Sequence, residues 1–167
     1  MGRYGPLPAH LRTALEKIQP SVDSDLSYYP CRVRLRDGRG LDTVYIEPDQ
    51  SYFKQWGIWP EDDRHKSWIR IEDVAEVEDS PTRLPARFAD EIYRHGESGM
   101  GYTIFTVVFA GGLRQACGTG NAVDFIQYPP GKGPADVVAV IPHEGRNAPQ
   151  IVSAPEWYWC LYSEDAK

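Results

Sequence analysis

From Arg32 to Ile46 the chain reads as a strand, a turn and a second strand, and no other stretch restricts the fold so firmly. Val33 and Leu35 alternate with Arg32, Arg34 and Arg36; Asp37-Gly38-Arg39-Gly40 follows, and Thr43-Val44-Tyr45-Ile46 resumes before Pro48. Successive side chains on a strand point to opposite faces, so the apolar pair takes one face and the arginines the other. An Asp-Gly turn between such runs is the strongest short-range signal for a β-hairpin. The chain must therefore build a sheet with one face on a core.

Two helices are expected around that sheet. Leu7, Leu11, Leu15 and Ile18 recur at helical spacing and predict a helix over residues 8–18, with Pro8 in its first turn and Pro20 stopping it. Leu84, Phe88 and Ile92 predict a second over residues 85–95, closed by Gly96. Residues 49–67 read as irregular. Trp68–Ile71 reads as a strand that Val74 and Val77 continue after a bend.

Tyr102–Phe109 is apolar on both faces, which predicts a central strand with Ile104, Phe105, Val107 and Val108 all buried. Leu113–Thr119 should pair back across the Gly111-Gly112 turn. Val123–Tyr128 and Val137–Ile141 read as further strands, and Trp157–Tyr162 fits either a strand or a helical turn. The 15 Gly and 14 Pro agree with many turns and few long helices. The expected fold is one α+β domain over residues 1–167: an antiparallel-dominated, strongly bent sheet, or a small partly open barrel broadly similar to SH3-like barrels, with two helices.

Composition narrows the partners. Apolar residues make up 41% of the chain, enough for a sizeable core. No window approaches 18 uninterrupted apolar residues, so no membrane contact is expected, and the opening residues carry no apolar leader. Cys31, Cys117 and Cys160 are odd in number and far apart, which reads as reduced thiols and a cytoplasmic setting. Residues 41–100 hold fourteen acidic against seven basic groups within a net charge of −6. Such an acidic middle repels a phosphate backbone, so nucleic acid is not an expected partner and a basic protein is.

Motifs for chemistry are incomplete. Gly96-Glu97-Ser98-Gly99-Met100 has Met where a G-x-S-x-G elbow needs its second glycine, and it follows a helix rather than a strand. Gly118-Thr119-Gly120 has Val123 at the third glycine position of a dinucleotide fingerprint, and Gly131-Lys132-Gly133 lacks the P-loop spacing. No cofactor is expected. His10, His65, His95 and His143 lie apart and no Cys pair has ligand spacing, so no metal site is expected either. The arginine row of the hairpin is expected to pair with the acidic run 72–79 on a neighbouring strand rather than with phosphates.

These features lead to a non-catalytic protein-binding module of bacterial-cytosol type, with Tyr52, Phe53, Trp56 and Trp59 as its partner surface. Aromatic side chains combine a large apolar area with a polar handle, which suits a docking face. The alternative is a small hydrolase using His95, Glu97, Ser98, Asp124 and His143. That alternative requires the 96–101 turn and His143 to meet at one end of a sheet.

Overall fold

The computed structural model describes residues 3–164; Met1, Gly2 and the last three residues lie outside the description. In chain order the elements are α1 (Ala9–Leu15), β1 (Ser21–Asp23), β2 (Leu26–Leu35), β3 (Gly40–Pro48), α2 (Asp49–Trp56), β4 (Ser67–Arg70), β5 (Val74–Glu78), α3 (Ala86–His95), β6 (Thr103–Phe109), β7 (Arg114–Thr119), β8 (Val137–Pro142), β9 (Ile151–Ser153) and β10 (Tyr158–Tyr162). Among the described residues the fold is thus α+β, with three α-helices and ten strands in two mixed sheets and no closed barrel. The residues group into two compact units.

The first unit takes residues 3–20, 26–80 and 156–164. The hairpin forms as its alternation demands: β2 and β3 pair antiparallel, with Tyr29 opposite Ile46 and Cys31 opposite Val44. Val33 and Leu35 are buried, while Arg34 and Arg36 project outward. On the other side of β2 lies β5, also antiparallel, placing Arg32 opposite Glu78 and Arg34 opposite Glu76. The tail is a strand. It pairs parallel with β3 and with β4, so that Trp159 stands opposite both Tyr45 and Trp68. Helix α1 lays Leu11 and Leu15 onto a core that includes Val33, Val44, Ile46, Ile71, Val74 and Cys160.

Helix α2 departs from the irregular segment expected at residues 49–67. Pro48 precedes its first turn, Asp49 sits where the helix dipole favours an acid, and the left-handed Gly57 ends it. Its buried face carries Tyr52, four residues before the half-buried Trp56, too short a stripe to stand out in the sequence.

The second unit takes residues 21–25 and 81–155. Its sheet runs β8-β6-β7-β9, with β6 antiparallel to β7 and β8 and with β9 parallel to β7. Phe105, Val107 and Phe109 point from β6 into a core completed by Leu84, Phe88 and Ile92 of the α3 region. β6 is central in the ladder, yet Ile104 and Val108 are only half-buried. The helix covers one face of the strand; on the other, Thr106 Oγ1 donates to the Glu144 carbonyl of an overlying loop (3.1 Å). The expectation of burial on both faces was therefore too strong.

Residues 123–128 do not form a strand either. Phe125 makes one isolated bridge with Arg83, and the Leu84 and Ile126 amides bond to the carbonyls of Asp124 and Thr82. The segment is held like a strand at one point, while Val123, Phe125 and Ile126 fill the core.

Candidate functional site

In the second unit, Ser98 follows α3 in the bend before β6, and His143 follows β8. β6 begins on the side where the antiparallel β8 ends, and the two side chains meet. Ser98 Oγ lies 2.8 Å from His143 Nδ1, and His143 Nε2 lies 2.9 Å from the carbonyl oxygen of His95. A carbonyl only accepts, so Nε2 carries a proton; in the neutral imidazole Nδ1 is then the acceptor that faces the serine hydroxyl. His143 has φ +64°, a left-handed conformation uncommon outside glycine. Arg146 secures the same corner, donating to the Ser98 carbonyl (3.1 Å) and to the Tyr102 hydroxyl (2.8 Å).

The hydroxyl is engaged from other directions too. The Ile104 amide donates to Ser98 Oγ at 2.8 Å, and the Ile104 carbonyl is a second acceptor at 3.2 Å. The amides of Ser98 and Gly99 both bond to the Tyr102 carbonyl. Beside this corner a shallow cleft of about 530 Å³ is lined by His143, Arg114, Arg146 and Thr106; Arg114 pairs with Glu144 at 2.9 Å.

The remaining members of the expected hydrolase set are committed elsewhere. His95 Nδ1 faces the Glu91 carbonyl one helical turn back (2.8 Å). Glu97 accepts from the Gly101 backbone amide (3.1 Å), and the Asn121 side-chain amide, in the orientation that satisfies its neighbours, donates to the other oxygen (3.0 Å). Asp124 is fully buried and receives the hydroxyls of Ser21 and Tyr93; Arg83 also donates to Ser21 (3.1 Å). Asp23, which sequence reasoning did not single out, belongs to this acidic neighbourhood. Burial pushes its carboxyl above the ordinary value, and the charges of Asp124 and Glu97 add to the shift.

The aromatic segment lies in the first unit. Tyr52 has no exposed surface and stacks edge-on to Trp159 at 5.0 Å, so it belongs to the interior and not to a partner face. Trp56 is half-buried, with the Lys66 ammonium 3.3 Å from its ring centre. The residue after Tyr52 lies about a quarter-turn round α2. Phe53 is accordingly 43% exposed and packs on Trp59 at 4.6 Å, and Ile58 beside them in sequence is 40% exposed. Trp59 also carries Tyr4 on one edge (5.6 Å) and the Arg3 guanidinium at 5.4 Å; Arg3 pairs with Glu61 and Asp62.

The arginine row is paired across the strands. Arg34 reaches Glu76 at 2.8 Å, Arg32 bonds Glu78 (3.0 Å) and Asp42, and Arg36 donates to the Glu72 carbonyl (2.8 Å). No family model, no curated protein and no solved structure matches this chain.

Proposed function

We propose that this chain is a non-catalytic protein-binding module whose partner is basic and docks on the Phe53–Ile58–Trp59 face. The observation that carries the reading is the exposure of Phe53 and Ile58 beside Trp59. Exposed apolar side chains packed on a tryptophan are the composition of a hot spot. The charged neighbours in sequence are mixed, Glu61, Asp62 and Asp63 with Lys54 and Arg64, and Arg3 pairs with the first two; a basic partner is expected from the net charge of −6. The test is calorimetric titration of a partner first isolated on immobilised protein. The partner should be basic, and Phe53→Ala with Trp59→Ala should weaken it at least tenfold, about 1.4 kcal/mol. Unchanged affinity in that variant, or an acidic partner, refutes the reading.

A hydrolase is favoured by one observation, the 2.8 Å contact between Ser98 and His143. In that reading Ser98 is the nucleophile and His143 the base, oriented by the His95 carbonyl where a triad has a carboxylate. Three features support a structural role for the pair instead. The serine oxygen already accepts the Ile104 amide, the nearby amides are spent on Tyr102, and both carboxylates serve other partners. A fluorophosphonate probe separates the two. Labelling of Ser98, lost in His143→Ala, establishes the enzyme; with a structural pair Ser98 stays unlabelled, and Ser98→Ala lowers stability by about 0.5–1.5 kcal/mol.

A further inference from the structure

In the first unit, between the β2–β3 turn and the β4–β5 connection, lies a cavity of about 490 Å³. It is bordered by Arg36, Arg39, Arg70, Trp68, Asp37 and Asp73. The volume falls within the range of pockets that hold small ligands. Trp68 is 42% exposed, on the edge strand β4, and opens its indole to this space.

Two of the three arginines are held by an Nε hydrogen bond, and the third, Arg70, lies near a carboxylate without one. Arg36 is fixed through Nε to the Glu72 carbonyl (2.8 Å), Arg39 through Nε to Asp37 (2.9 Å), and Arg70 lies with Nε 3.6 Å from the Glu72 carboxylate. Holding a guanidinium by Nε sets its plane and leaves the two terminal nitrogens for a ligand. That pair matches two oxygens of a phosphate. An exposed indole offers a stacking surface to a planar heterocycle. Asp73 adds an acceptor suited to sugar hydroxyls or a base amino group, while both Asp37 oxygens accept from Arg39.

We propose that this cavity binds a nucleoside diphosphate, with the base on Trp68 and the phosphates on Arg36, Arg39 and Arg70. A free nucleotide fits better than a nucleic-acid strand. The acidic excess of residues 41–100, fourteen acidic against seven basic groups, opposes the passage of a polyanion.

The experiment is calorimetric titration of the intact chain with ADP, GDP, pyrophosphate, adenosine and decathymidylate at low salt. ADP or GDP should bind with Kd below about 1 mM. Trp68→Ala should weaken the nucleotide about tenfold or more and leave pyrophosphate unchanged. Arg36→Gln with Arg70→Gln should weaken both, and adenosine alone should not bind. All three substituted side chains are exposed, so an unchanged thermal midpoint verifies that the variants fold. The inference is overturned if neither nucleotide binds at millimolar concentration, if Trp68→Ala leaves nucleotide affinity intact, or if decathymidylate binds more tightly than ADP.

Discussion

Gly145→Ala, in the loop that follows His143, should destabilise the second unit by an amount that a control can divide into parts. Gly145 has φ +117°, where L side chains are strained, at a cost of about 1–2 kcal/mol. A Cβ there would also stand 2.9 Å from Ala116 Cβ, 3.2 Å from Thr106 Oγ1 and 3.5 Å from Ala116 Cα. Those atoms belong to β7 and β6, which have no flexible end to swing aside, so overpacking adds about 1–3 kcal/mol. Gly111→Ala is the control, since Gly111 has φ +90° with nothing within 4 Å of a built Cβ. Both substitutions gain the same about 0.4–1 kcal/mol from a stiffer unfolded chain, which cancels in the comparison. Both glycines lie in the same unit and report on the same transition. Urea unfolding followed by far-ultraviolet circular dichroism should find Gly145→Ala less stable than Gly111→Ala by about 1–3 kcal/mol. A difference below about 0.5 kcal/mol refutes the crowding argument.

Phe105→Ala should cost about 3–5 kcal/mol in the same assay, and Val108→Ala clearly less, because only the first side chain is fully buried. The three thiols are buried, and burial pushes Cys117 up to about 11 and Cys160 well above the ordinary thiol value. A disulfide exchange reagent at pH 8 should therefore react with them only after denaturant is added; fast reaction in the native protein contradicts the packing. The hydrogen bond and charge of Arg34 hold the Glu76 carboxyl below the ordinary carboxylate value. Its stabilising effect is present above that ordinary value and fades as pH falls through the lowered folded one; carboxyl NMR titration should move upward in Arg34→Gln.

The legible parts of this fold are those encoded by local period. The Arg32–Ile46 hairpin, α1 and α3 all carry stripes that a reader of the sequence can count. The pairing of Arg34 with Glu76 was readable too, since alternation fixes which residues share the outer face. The place of β10 was not. Its partner Ile46 lies more than a hundred residues before Cys160, and an aromatic run carries no register of its own.

The site was half-legible for the same reason. Ser98 and His143 stood out as residues, but whether they met depended on how β6 and β8 pair. Asp124 was grouped with them by residue type; the hydroxyls of Ser21 and Tyr93, unremarkable in the sequence, hold it instead. Trp68 and Arg70 looked like ordinary strand residues until the β2–β3 turn was seen across the cavity from them.

The position of β10 has a consequence for biosynthesis. A ribosome delivers β3 and β4 early, yet the strand that belongs between them emerges only after the whole of residues 81–155. The second unit can condense on the nascent chain while the first still waits with two open ladders. Unpaired strand edges recruit other chains, so this interval is when the polypeptide is most exposed to aggregation. A message truncated before residue 158 would prolong that interval indefinitely, and its product should depend on chaperones or be degraded, although every residue of the second unit is present.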